Sequence, residues 1–181
     1  TPYNVAVGYQ AGTAITTGTQ NTLIGGLAGD ALTVAFNNVA LGYAALGNDL
    51  KGGRSVAIGT ESLTTQQFGV TTNVYNVGVG HQAGRLITSG FQNTLIGGFA
   101  GDALTDADYN IAIGQGALGA DTLGSRAVGI GVFALNEQNF SSATDNYNVA
   151  MGFYAGRKIT TGFDNTIIGG LAGDALTNSS Y

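Results

Sequence analysis

The chain has no cysteine, a single proline, a single histidine and few charges, only 9% of its residues. The missing cysteines exclude disulfides and thiolate metal sites, and leave the redox compartment open. An ordinary soluble domain is roughly 25% charged, so this is not a typical globular enzyme. A content of 44% hydrophobic residues equally separates it from disordered chains. Six basic against eleven acidic residues leave a net charge of −5, and nothing forms the basic stripe that neutralises nucleic-acid phosphates or anionic lipid. No nucleic acid is expected as a partner. No apolar run approaches the roughly 20 residues that span a bilayer, and the opening "TPYNVAVGYQ" lacks the basic and apolar regions of a signal peptide. We expect a soluble chain without membrane insertion. No G-x-S-x-G, Walker or zinc motif occurs, and the glycines of "VGVGHQAG" neither match a dinucleotide loop nor precede a helical pattern. Neither catalysis nor a cofactor is expected. Tyr9, His81 and Phe153 follow one another at equal spacing in the same sequence context, which suits an aromatic packing or surface position for the histidine rather than a catalytic one.

What the chain does have is glycine, 31 residues of it, without the every-third-residue spacing of collagen. It also has a phrase. "NTLIGGLAGDALT" begins at Asn21 and returns, nearly unchanged and at the same interval, at Asn93 and Asn165. Aligning on a glycine preceded by a short apolar run gives ten units, beginning at Asn4, Asn21, Asn38, Ser55, Asn76, Asn93, Asn110, Ala127, Asn148 and Asn165. Most have the length of the second, Asn21–Asn37, whereas the fourth, Ser55–Tyr75, and the eighth, Ala127–Tyr147, each carry a four-residue insertion. Three short units and one long one therefore make the interval at which the phrase returns. Residues 1–181 read as one repeat array, with super-repeats at 4–75, 76–147 and, in part, 148–181.

Each unit opens with a strand-like pentapeptide such as "NVAVG", "SVAIG" or "NTLIG". Its second and fourth residues, mostly β-branched, share one strand face, and its third, small or apolar throughout, lies on the other. A strand apolar on both faces is covered on both faces. A narrow coil covers only its inside, so another subunit is expected on the outside. The fifth residue is always glycine, as a tight bend requires. An alanine follows three residues later in nine of ten units, Ser62 being the exception. A second short strand is expected at "AIT", "ALT", "LIT" or "KIT", carrying Ile15, Leu32, Ile87, Leu104, Ile159 and Leu176. The whole describes a rung of an all-β, parallel β-solenoid of about ten rungs, stacked roughly 4.8 Å apart. The asparagine opening eight of the ten units would form an amide ladder along the axis.

"SVAIG" at Ser55–Gly59, with "NIAIG" and "NVAVG", resembles the head repeat of YadA-like trimeric autotransporter adhesins. "NVAVGYQAG" and "NTLIGG" are still more similar to related repeats of bacteriophage tail fibres. The resemblance runs from Asn4 to the end of the array, and it implies a left-handed β-roll, a homotrimer and an extracellular place. The rungs are longer than those of the adhesin heads, and the sequence shows no heptad stalk or membrane anchor. It therefore implies first the rod of a tail fibre that projects toward the bacterial host, as part of a fragment of a longer fibrous protein. A bacterial surface adhesin head comes second. An ice-binding solenoid comes third, because the threonines Thr16, Thr33, Thr88, Thr105, Thr160 and Thr177 are interrupted by Leu50 and Gln67.

Two groups of residues are candidates for chemistry. "GGLAGDALT" partly fits the calcium nonapeptide, but Ala28 replaces a required glycine and no neighbouring nonapeptide completes an ion site. Asp30, Asp102 and Asp174 are read as turn residues satisfying backbone donors, with calcium as the lesser alternative. The second group lies in the long units, "TTQQFGVTTNVY" and "NEQNFSSATDNY". Loops on a rigid rod are places for recognition, and aromatics among polar residues suit a host-surface glycan or protein. Gln66, Gln67, Phe68, Tyr75, Gln138, Asn139, Phe140 and Tyr147 are the candidate contacts, unless these loops only tile the rod or lock subunits.

Overall fold

Each pentapeptide becomes a three-residue strand, since its β-branched residues favour extended backbone and its glycine ends it. In the computed structural model, which describes residues 2–180, these strands are Val5–Val7, Thr22–Ile24, Val39–Leu41, Val56–Ile58, Val77–Val79, Thr94–Ile96, Ile111–Ile113, Val128–Ile130, Val149–Met151 and Thr166–Ile168. They form one parallel ten-stranded sheet whose spatial order is the order of the chain. Parallel neighbours need a crossover, and here each crossover is one turn of the coil. Val5 pairs with Thr22 across a short turn, whereas Val56 pairs with Val77 and Val128 with Val149 across the two long ones. The chain is thus an all-β parallel solenoid of about ten turns, with no helix among the described residues. At roughly 4.8 Å per strand the stack is about 45 Å long.

Register turns each repeat position into a column. The third pentapeptide residue faces the core, with Leu23, Ala40, Ala57, Leu95, Ala112 and Ala150 fully buried. The second and fourth face outward. The strand-ending glycines all have φ between +126° and +139°. A Cβ on any but the last would strike the corresponding glycine of the next rung, as at Gly42, where it would lie 2.6 Å from the carbonyl carbon of Gly59. Bend and close approach both demand glycine there.

The expected second strand is not formed. Its apolar residues lie in turns, with Ile15, Leu32, Ile87, Leu104, Ile159 and Leu176 each donating a backbone N–H to a glycine carbonyl three residues earlier. Those glycines are left-handed, Gly12 and Gly29 at φ +60° and +55°, which breaks a strand and swings the apolar side chain inward. The only other strand pairs among the described residues lie beside the long rungs, Gly52–Gly53 with Thr72–Asn73 and Gly124–Ser125 with Thr144–Asp145.

One branched side chain per turn fills the rest of the core, and it comes from either of two positions. In the first two rungs of a super-repeat the ninth residue is glycine and the twelfth is Ile or Leu, as in Gly29 with Leu32. A Cβ on Gly29 would lie 2.7 Å from Leu32 Cδ1 and 2.9 Å from Leu23 Cδ2. In the third and fourth rungs the ninth residue is instead buried Leu46, Leu63, Leu118 or Leu135, held at φ +49° to +53°. The twelfth is then Asp49, Gln66, Asp121 or Gln138, also buried.

The asparagine ladder is present. All eight side chains donate from Nδ2 to the carbonyl fourteen residues on, from Asn4 to Gly18 at 2.8 Å through to Asn165 to Ser179 at 2.7 Å. Seven of them accept, at Oδ1, the backbone N–H that opens the next rung, at 2.8–3.0 Å. Each asparagine thus closes its own turn and fastens it to the next.

Candidate functional site

The structure divides the eight long-rung candidates. Gln66 and Gln138 are fully buried and Phe140 is 6% exposed, so these three are not contact residues. The reason is a polar pair that joins two rungs. Gln66 Nε2 donates to Asp49 Oδ2 at 2.6 Å and its Oε1 accepts from Asn76 at 2.9 Å. Gln138 repeats this with Asp121 at 2.6 Å and Asn148 at 2.8 Å. Phe68 and Phe140, which begin the two loops, are tied by their backbone N–H groups to the same aspartates, at 3.0 and 3.2 Å. The sequence signal for Asp49 and Asp121 is the twelfth-position column, which reads Ile, Leu, Asp, Gln and then repeats.

Gln67, Asn139, Tyr75 and Tyr147 remain on the surface, with Phe68 half-buried. Each tyrosine ends its long rung in the left-handed conformation, at φ +58° and +51°, one rung above an arginine in the same column. Arg54 donates to Tyr75 Oη at 2.5 Å, and its guanidinium lies 5.6 Å from that ring and 5.8 Å from Phe36. Arg126, its counterpart in the next super-repeat, lies 4.7 Å from the Tyr109 ring and pairs with Asp145 at 2.9 Å. The hydrogen bond from Arg126 to Asp145, with smaller contributions from Tyr147 and Tyr109, holds the arginine cation above its ordinary pKa. The surface therefore carries two fixed combinations of exposed tyrosine and arginine, four rungs or roughly 19 Å apart. Rings held in place by cations offer flat apolar faces beside hydrogen-bond donors.

Asp30, Asp102 and Asp174 occupy one position of the turn in successive super-repeats, half-buried and four rungs apart, so no two share an ion. No group of three metal-ligating side chains occurs among the described residues. Burial raises the Asp102 carboxyl above its usual range, against a hydrogen bond from its own backbone and the charge of Arg85 one rung below. His81 is exposed and meets Phe99 edge-on at 5.2 Å. The threonine column turns its hydroxyls onto the stack, as Thr33 does to the Leu50 carbonyl at 2.9 Å and Thr105 to that of Thr122 at 3.0 Å.

The largest feature is the outer face of the sheet. Val5, Val7, Ile24, Leu41, Ile96, Ile111, Met151 and Ile168 are exposed on it, and Tyr9, Tyr43, Phe99 and Phe153 are exposed just beyond the strand-ending glycines. Single exposed hydrophobes are ordinary, but here they line up as a continuous apolar strip along the stack. The described residues contain no enclosed pocket and no helix long and apolar enough to cross a membrane. Comparison with models of protein families, with curated proteins and with solved structures gives no match, so the reading of function rests on this geometry and on the repeat itself.

Proposed function

We propose that the chain is a stretch of an extracellular fibre, a left-handed β-roll that associates as a homotrimer and belongs to the rod of a bacteriophage tail fibre projecting toward its host. The observation that carries this reading is the apolar outer face of the ten-stranded sheet, from Val5 to Ile168. Strands apolar on both sides need a cover on both sides. Three copies of one rod, each turning this face to a common axis, supply that cover with the same residues at every level. The resemblance of "SVAIG" and "NVAVGYQAG" to trimeric adhesin and tail-fibre repeats supports the same number and the same hand.

Light scattering of the purified chain should give about three times 18.2 kDa. Leu41→Lys with Ile96→Lys, both on the outer face, should give a monomer whose β circular dichroism is retained. A wild-type monomer would overturn the assembly.

Recognition of the host falls in this proposal to two surfaces, one of Tyr75 with Arg54 and one of exposed Tyr147 with the Arg126–Tyr109 pair in its neighbourhood, whose ring faces and donors suit the faces and hydroxyls of a glycan. Truncating such an anchor costs about 2 kcal/mol, or roughly thirty-fold in affinity. Tyr75→Ala with Tyr147→Ala should therefore lower binding to host cells or purified surface glycan by that factor or more, with the melting temperature unchanged. Undiminished binding would return the loops to a packing role.

A further inference from the structure

We infer that the buried pairs Asp49–Gln66 and Asp121–Gln138 are register keys, which fix which rung stacks on which and seat the long-rung loops. A solenoid of near-identical turns has a particular difficulty. If one rung is looped out, the rungs on either side can rebuild the strand ladder, and almost every rung offers the same asparagine to its neighbour. Backbone and asparagine ladders therefore discriminate poorly between the true stack and one slipped by a rung. The twelfth-position column does discriminate, because it reads Ile15, Leu32, Asp49, Gln66 and then Ile87, Leu104, Asp121, Gln138. In the true stack each aspartate lies directly against a glutamine, at 2.6 Å in both super-repeats. Loop out the fourth rung, and Asp49 meets Ile87 while still buried, losing the Gln66 amide and the Phe68 N–H at 3.0 Å. The carboxylate then keeps only the donors of its own turn, the N–H groups of Lys51 and Gly52 at 3.3 and 3.1 Å. A buried carboxylate that loses the partner of its other oxygen is costly in a core.

Two further observations favour a key over a plain core contact. The first two rungs of each super-repeat show that this backbone accepts an apolar twelfth residue, and in the polar rungs Leu46, Leu63, Leu118 and Leu135 supply the core volume from the ninth position. The polar pair is therefore not needed to fill space. A buried polar residue that sets register at some cost in stability is the best-attested use of such groups. Each key also lies at the foot of a long rung, the one place where the turn length changes and a slip would be most disruptive.

The absence of cysteine makes slippage directly readable. Leu50 and Thr88 share a column two rungs apart, roughly 9.6 Å, beyond the roughly 7 Å of Cα separation that a disulfide tolerates. Thr88 and Thr105 are adjacent in that column, the Thr88 hydroxyl reaching the Thr105 carbonyl at 3.3 Å. After unfolding and oxidative refolding, Leu50→Cys with Thr88→Cys should not cross-link in the wild-type background. The same cysteines should cross-link in at least a tenth of the molecules when Asp49→Leu, Gln66→Leu, Asp121→Leu and Gln138→Leu remove both keys. Thr88→Cys with Thr105→Cys reports the folded stack in each background. A milder variant, Asp49→Leu with Gln66→Leu alone, keeps the second key and limits the perturbation to one site. A folded stack without the Leu50–Thr88 cross-link in either background would overturn the inference. So would failure of both variants to fold, since the pairs would then be supplying stability rather than register.

Discussion

Alanine in place of Gly97 is expected to destabilise the rod severely, whereas alanine in place of its neighbour Gly98 should pass unnoticed. Both belong to the repeated "IGG" phrase, and composition cannot tell them apart. Gly97 has φ +133°, and a Cβ there would lie 2.6 Å from the carbonyl carbon of Gly114, 2.7 Å from its oxygen and 3.1 Å from the nitrogen of Gln115. Those atoms are backbone of the next rung, and they cannot swing aside without breaking the ladder. Backbone strain of this kind costs about 1–3 kcal/mol, and forcing extra volume into a packed site adds about 1–3 kcal/mol more. In a chain of this length that lowers the melting temperature by roughly 10 °C. At Gly98 the nearest atom to a Cβ is the His81 carbonyl at 4.0 Å, so the change should stay within about 0.5 kcal/mol. Thermal melts of the two variants side by side check this. Equal melting temperatures would mean that the close approach between rungs does not control stability.

That contrast shows what the sequence discloses and what it hides. Ten tandem copies let each position be read ten times, so the turn length, the strands, the strand-ending glycine and the asparagine ladder are all legible in the sequence. The second strand is not. "AIT" and "ALT" are three-residue apolar segments, and periodicity over three residues cannot separate a strand from a turn that drops one side chain inward. The loop candidates mislead for a related reason. Gln66, Gln138 and Phe140 look solvated because their neighbours are polar, yet the partner that buries each glutamine lies one whole rung earlier, at Asp49 or Asp121. Residues joined only through the coil become neighbours only once the rung length is imposed on the alignment. Tyr75 and Tyr147 read correctly as surface residues, but the arginines beside them, one rung back, emerge only when the sequence is folded into columns.

The missing asparagines of the ladder lead to the second large effect. Rungs four and eight begin with Ser55 and Ala127, and they are also the long rungs. Every other rung carries, fourteen residues on, a carbonyl that receives the asparagine Nδ2, whereas in the long rungs the residues at that spacing, Gly69 and Ser141, are exposed. Without that carbonyl a buried amide would hold an unpaired donor, so the asparagine is absent where its partner is. In a short rung the reverse holds. Asn93 is buried, accepts the Asn110 N–H at 2.9 Å, and donates to the carbonyl of Ala107 at 2.8 Å and to Asn76 Oδ1 at 3.2 Å. Asn93→Ala strands a buried N–H and a buried carbonyl, each worth about 1–3 kcal/mol, for a loss on the order of 4 kcal/mol. Asn93→Asp keeps the shape and the acceptor but turns a carboxylate oxygen toward the Ala107 carbonyl. Burial and that oxygen raise the introduced carboxyl's pKa above its unfolded value. The native state of the variant then binds the extra proton, so its deficit is largest at neutral pH and shrinks as pH falls through the folded pKa toward the unfolded one. Protonated, the group donates where asparagine did. Melting temperatures relative to wild type should therefore converge on acidification for Asn93→Asp and stay apart for Asn93→Ala. Parallel behaviour of the two variants would show that the hydrogen bond to Ala107 does not hold the turn closed.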